Sequence, residues 1–268
     1  MTNNDTSWLG LAGRTCAITG AAGGLGLAVA REFSKGGANV VLLDLDAEVC
    51  SDLVDDIKRE DGNAIAITCD VTNDESVQAA LNATDAEYGR CEILVNNAGI
   101  LRPGRLEDIS MADWQQLMDI NLNGYLRCAQ SFGQGMLSRG HGAIINIASI
   151  AASEPQANSG AYSPSKAAVV MLTRQMAFEW GSRGVRVNTV SPGLVRTPLS
   201  EAFYQDPGVK ARREAIIPLR RIARPADIAD AVAFLASDRA NYISGQEILI
   251  DGGLSQTLMN FVPRPGFD

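Results

Sequence analysis

Short apolar runs alternate with longer amphipathic stretches along almost the whole chain, and this alternation limits the fold more than any other feature. Strands are expected at 15–19, 39–43, 64–68, 92–95, 142–148, 185–190 and 247–250. Most are unbroken apolar runs without a polar alternation, as suits strands that helices cover on both faces. Helices are expected at 25–35, 47–60, 74–87, 114–137, 161–180 and 225–237. The third follows Thr72, which with Glu75 three residues on has the form of a capping box. Strand–helix alternation with short connections predicts a doubly wound parallel α/β sheet. No repeat, low-complexity segment or linker interrupts it, so one domain over 1–268 is expected. Two stretches look irregular: 191–217, with three prolines before Pro218, and the tail 261–268.

Composition excludes several functions. With 46% apolar and 20% charged residues, general disorder is ruled out. No apolar run approaches the roughly 20 residues of a membrane span, and the N-terminus shows no secretory signal. The 23 basic and 31 acidic residues give a net charge of −8, which argues against a grip on nucleic acid or on anionic lipid. Five cysteines without a C-x-x-C spacing read as reduced thiols in a cytoplasmic setting. His141 is the one histidine, so a His-rich metal site cannot be built and no metal is expected.

The first strand runs into Thr19-Gly20-Ala21-Ala22-Gly23-Gly24-Leu25-Gly26. Gly20, Gly24 and Gly26 at a strand-to-helix turn let the backbone approach a pyrophosphate. The helix start supplies unpaired N–H groups and a positive dipole end. Asp44 ends the next strand, 18 residues past Gly26, where a carboxylate accepts hydrogen bonds from an adenosine ribose. A carboxylate there repels a 2′-phosphate, and no Arg or Lys follows at 45 or 46. NAD is the expected cofactor.

Tyr162 and Lys166 stand at i and i+4 and share a helix face. A free phenol titrates near ~10, too high for a base at neutral pH. A neighbouring ammonium and an oxidised nicotinamide favour phenolate, so Tyr162 is expected to be depressed and to take a proton from an alcohol.

With the glycine turn, Asn96-Asn97-Ala98-Gly99 and Ser149 thirteen residues before Tyr162, the sequence resembles the short-chain dehydrogenase/reductase superfamily, in its compact single-domain branch. The resemblance runs from Leu11 to about Gly253 and implies a Rossmann-type seven-stranded parallel sheet flanked by helices. It assigns Tyr162 as general acid/base and Lys166 as its modulator and a ribose ligand. Ser149 would hold the substrate oxygen, and Asn121 would position a water in a proton relay. It further implies that Asp70 and Val71 touch adenine, and that Asn97 and Gly99 line the adenosine ribose side. Ser191-Pro192-Gly193 with Val195 and Thr197 would hold the carboxamide. Helices 114–137 and 161–180 would pack against a second subunit through Leu122, Leu126, Phe132, Met136, Ala168, Met171, Leu172 and Phe178, giving a homotetramer.

Leu101, Glu154, Gln156, Asn158, Leu194, Leu199, Phe203 and Tyr204 are the candidate substrate lining. That mixture suits a small secondary alcohol or ketone with a further polar group: a polyol, a diol or a hydroxylated ring. The alternatives are a 3-oxoacyl-carrier-protein reductase, whose usual NADPH Asp44 opposes, and a dinucleotide-sensing protein without turnover. The tail 257–268 is expected to be flexible or to pack at a subunit interface near a neighbouring site.

Overall fold

In the computed structural model, which describes residues 7–201, 204–263 and 266, seven parallel strands form one sheet in the order β3-β2-β1-β4-β5-β6-β7. These are β1 Thr15–Thr19, β2 Asn39–Asp44, β3 Asn63–Thr68, β4 Ile93–Asn96, β5 Gly142–Ile147, β6 Val185–Pro192 and β7 Glu247–Ile250. The apolar runs read as two-faced strands because they are. On β1, Cys16 and Ile18 point to one layer, where α1 (Gly24–Lys35) and α9 (Pro225–Ala236) bring Val29, Phe33, Ile228 and Val232. Ala17 points to the other layer, where α3 (Asp74–Tyr88) and α5 (Gly124–Arg139) contribute Val77, Ala80, Phe132 and Met136. Successive side chains leave a strand on opposite faces, so a run without polar alternation serves both layers.

Strand order reverses between β1 and β4, whose carboxyl ends carry Gly20 and Asn97. A crevice opens at such a point, because the chain departs in opposite directions from adjacent strands. Behind it lies a buried polar ladder. Asn96 Nδ2 donates to Asn146 Oδ1 at 2.9 Å, Asn146 Nδ2 to Thr173 Oγ1 at 2.8 Å, and Thr189 and Thr173 share a 2.7 Å bond. The ladder locks β4, β5 and β6 to α6 (Tyr162–Trp180) in one register. Buried polar groups that are paired specify an arrangement, since any slip leaves them unpaired.

Four expectations need correction. The helix at 114–137 is α4 (Met111–Met118), a π-helical turn at Asp119–Asn123, and α5. Asn73, not Thr72, caps α3, its side chain accepting from Ser76 N at 2.8 Å, while the Thr72 hydroxyl turns to Asp70 Oδ1. The helix at 47–60 is a 3₁₀ turn, Ala47–Cys50, leading into α2 (Ser51–Arg59). The irregular stretch 191–217 holds two short helices, α7 (Pro198–Glu201) and α8 (Pro207–Ile216). Phe203 and Phe267 lie outside the described residues. Among the described residues, no helix is long and apolar enough to cross a membrane.

Candidate active site

The glycine turn is built by close backbone contact. A Cβ on Gly26 would stand 2.3 Å from Gly20 O, and one on Gly20 would stand 2.8 Å from Ala98 Cα. Gly20 and Gly24 both have positive φ, 63° and 56°. Asn97 clamps the turn through Nδ2, which donates to Thr19 O at 3.0 Å and Gly20 O at 2.8 Å. The Thr19 hydroxyl accepts from the amides of Asn97 and Ala98, so β1 and β4 are tied at their ends. Gly23, at the start of α1, provides no side-chain cap. The first-turn amides there form a cradle suited to a pyrophosphate.

Asp44 sits beside this turn, with Oδ2 accepting from Ala22 N and Oδ1 from Leu45 N, each at 2.9 Å. One bond per oxygen leaves further lone pairs for a ribose diol. Asp70 closes a turn on Thr72 and accepts from its amide at 2.9 Å. Val71 is buried against Gly124. Asp44 thus ends β2 and Asp70 and Val71 follow β3, all three outside the main cleft.

That cleft has a volume of about 990 Å³. On its lining stand Gly20, Gly24 and Leu25 from the turn, Asn97 and Gly99 after β4, Ser149 after β5, and Tyr162 and Lys166 on α6. Pro192, Gly193, Val195 and Thr197 complete it from the segment after β6. A Cβ on Gly193 would lie 2.7 Å from Asp251 Cα, which packs this segment against the chain beyond β7. Thr197 closes over the turn: its Cβ would be 3.5 Å from one on Gly24.

Lys166 is buried at 4% exposure, its Nζ donating to Ile147 O at 2.8 Å and to Tyr125 Oη at 3.3 Å. Tyr125 Oη donates in turn to Ile147 O at 3.0 Å. Tyr125 thus anchors the lysine; the sequence reading gave it no role, and its place four residues after Asn121 was the one available signal. Asn121 lies in the π-helical turn, where its Oδ1 accepts from Ile100 N at 2.9 Å and its Nδ2 donates to Ile100 O at 3.0 Å. Nδ2 also reaches Ser165 Oγ at 3.3 Å. A Cβ on Gly99 would lie 3.3 Å from Asn121 Oδ1 and 3.6 Å from Lys166 Nζ, so Gly99 borders both polar groups.

Charge behaviour departs from expectation. Burial pushes the Tyr162 phenol above its ordinary value, and a hydrogen bond with Ser149 opposes this. Burial also drives Lys166 down to about 7. The physical reason is that desolvation penalises phenolate and ammonium alike. Moreover, Lys166 Nζ stands 5.8 Å from the Tyr162 ring centroid and gives two of its three donors to Ile147 and Tyr125. The chain alone therefore does not depress Tyr162.

Of the expected substrate lining, Leu101, Glu154, Gln156, Leu194 and Tyr204 are on the cleft. Asn158 is not; it sits in a tight turn with φ 57°, its carbonyl accepting from Gly104 N. Arg213 on α8 and Leu258 and Phe261 near the chain's end also line the cleft. The tail expected near a neighbouring subunit's site thus contributes to the wall of its own.

A switch-point cleft that joins a bare glycine turn to half-buried Ser149 and Tyr162 and the buried Lys166 defines a nicotinamide-dinucleotide oxidoreductase. The chain belongs to the short-chain dehydrogenase/reductase superfamily: residues 20–255 match a family model described as enoyl-(acyl carrier protein) reductase. It is 42% identical over 243 residues to D-threitol dehydrogenase of Mycolicibacterium smegmatis, covering 91% of this chain and 93% of that one. It is 40% identical over 241 residues to cis-4-hydroxycyclohexanecarboxylate dehydrogenase of Sinomonas cyclohexanicum, covering 90% and 96%. The solved gluconate 5-dehydrogenase of Burkholderia cenocepacia, in complex with NADP and tartrate, superposes with a TM-score of 0.87 at 34% identity, covering 91% and 96%.

Proposed function

We propose that this chain interconverts a small polar secondary alcohol and its ketone with NAD, with Tyr162 as general acid/base. The observation that carries this reading is the presence of Ser149, Tyr162 and Lys166 in the same cleft as the glycine turn. The bound dinucleotide supplies the carbon that accepts or donates hydride. Gly20, Gly24, Leu25 and Gly26 hold its pyrophosphate, Asp44 its adenosine ribose, and Asp70 and Val71 its adenine. Asn97 and Gly99 line the adenosine ribose side, and Pro192, Gly193, Val195 and Thr197 hold the carboxamide. Ser149 orients the substrate oxygen through the hydrogen bond it shares with Tyr162. Tyr162 takes the hydroxyl proton as the C–H bond breaks and returns it in reduction. Lys166 binds the nicotinamide ribose and passes the proton towards a water held at Asn121.

Asp44 supports NAD over NADP, since a 2′-phosphate would meet a carboxylate held beside the turn by two backbone amides. The same carboxylate stands against an NADPH-dependent carrier-protein reductase. The panel that tests both runs NAD and NADP against polyols, cyclic diols, hydroxy acids and a steroid alcohol, and NADH and NADPH against a 3-oxoacyl thioester. Turnover of a small polar alcohol with NAD is expected; cofactor binding without turnover of any substrate refutes the dehydrogenase reading. In Asp44→Ala, kcat/KM for NAD should fall about tenfold to hundredfold, the worth of hydrogen bonds to a charged group, and discrimination against NADP should relax. An unchanged cofactor preference removes Asp44 from the ribose site.

Leu126, Met171 and Phe178 are exposed on α5 and α6, Phe178 at 84%. They support a homotetramer built on these helices, which a monomer mass in sedimentation would refute. Phe132 and Met136 are buried in the chain's own core and cannot take part. The five cysteines are unpaired and buried, which supports a reducing, cytoplasmic location.

A further inference from the structure

A second phenol stands behind the lysine of the cleft. Tyr125, the second residue of α5, is 1% exposed, and its hydroxyl donates to Ile147 O at 3.0 Å. A phenol carries one proton, so only the lone pairs of this oxygen remain to face Lys166. Lys166 Nζ therefore donates to Tyr125 Oη, at 3.3 Å, as it does to Ile147 O, at 2.8 Å. Nζ lies 5.2 Å from the Tyr125 ring centroid, so the ammonium meets the hydroxyl end of the ring rather than its face.

These two acceptors hold a cation that has little else to hold it. No carboxylate among the described residues opposes the burial that drives Lys166 down to about 7. The ionisable groups around it are neutral in that range: burial raises the phenols of Tyr162 and Tyr125 and, beside Tyr125, the thiol of Cys128. Gly99, which borders Lys166, and Asn121, which borders Gly99, carry no charge. An acceptor favours the charged form of its donor, so the Tyr125 oxygen works against the burial. A count of protons then separates the two forms of the lysine. An ammonium has three N–H groups, two given to Ile147 and Tyr125 and one left for the cleft that Lys166 lines. A neutral amine has two, both taken, and offers a ligand only its lone pair.

We propose that Tyr125 is a positioning residue that acts through Lys166, holding it as an ammonium with one N–H left for the bound dinucleotide. The Tyr125 oxygen thereby sets the upper end of the pH range over which the cofactor is held tightly. This deepens the dehydrogenase reading and rests on its assignment of Lys166 as a ribose ligand. The sign follows from the proton count. The third N–H is present below the titration of Lys166 and lost above it, so affinity falls as pH rises. Without the Tyr125 oxygen the ammonium is held less well, and the fall comes at lower pH.

The test is NADH affinity by fluorescence titration from mildly acidic to mildly alkaline pH. In the wild type it should fall about tenfold as pH rises through the value of Lys166, the worth of a hydrogen bond from a charged group. Tyr125→Phe deletes one oxygen and leaves Ile147 O its bond from Lys166; it should move the midpoint of that fall down by about one to two pH units. Tyr125→Leu, which lacks the oxygen too, should move it alike, and a retained melting midpoint certifies the fold of either variant. Lys166→Met should remove the fall, and adding Tyr125→Phe to it should change nothing further, as action through the lysine requires. An unmoved midpoint without the Tyr125 oxygen, an equal loss from Tyr125→Phe with and without Lys166, or a wild-type affinity that does not change with pH overturns the proposal. Those outcomes leave the dehydrogenase reading standing, because that reading is decided by turnover across the alcohol panel.

Discussion

Tyr162→Phe should bind NADH as the wild type does and lose about 10²–10⁴-fold in turnover in both directions, the range for removing a positioned acid/base. The substitution deletes one oxygen from a half-buried side chain, so it tests chemistry with little disturbance of packing. Substantial remaining turnover would overturn the assignment. The pH profile adds an independent readout. Because burial raises the phenol, the base form is scarce at neutral pH, so alcohol oxidation should climb as pH rises towards the phenol's own value. Ketone reduction, which needs the protonated phenol, should decline over the same range. In the phenylalanine variant both slopes should vanish from whatever activity is left.

Gly26→Ala should have the second large effect, and for a mechanical reason. The added methyl would meet Gly20 O at 2.3 Å, Ala21 Cα at 2.8 Å and Asn97 Nδ2 at 2.9 Å. Two of these are backbone atoms of the turn itself, and the third is the clamp that holds it. None can withdraw without opening the turn, so NADH affinity should fall at least about hundredfold, as misplacement of a positioned group does. Overpacking of this sort costs about 1–3 kcal/mol. At roughly 2–4 °C per kcal/mol for a chain of this size, the melting midpoint should drop by several degrees. NADH affinity within threefold of wild type would show that the turn does not bind the cofactor.

The sheet was legible because parallel strands buried on both faces favour unbroken apolar runs, as at Cys16–Ile18 in β1 and Val40–Leu43 in β2, and little else produces them. Tyr162 and Lys166 were legible because their spacing places them on one helix face. The π-helical turn at Asn121 was not, since widening a single turn leaves the apolar pattern of a helix almost unchanged. Nor were α7 and α8: Pro198 and Pro207 read as breakers, but each opens a helix, where a missing N–H costs nothing. Asn73 displaced Thr72 as a cap because Asp70 captures the threonine hydroxyl, a contact that spacing alone does not disclose. The direction of the Tyr162 shift depends on burial of both members of the pair, and burial is a property of the assembled cleft.

The two walls of that cleft have different origins. Ser149, Tyr162 and Lys166 hang from β5 and α6, which the buried Asn–Thr ladder locks together. Tyr204 and Arg213 come from the excursion after β6 that holds α7 and α8, and Leu258 and Phe261 from a 3₁₀ turn after β7. Mutation, insertion or shortening can therefore remodel the second wall over evolutionary time while the ladder and its reacting groups stay in place. A lineage built this way can exchange one alcohol for another without relearning how to move a hydride.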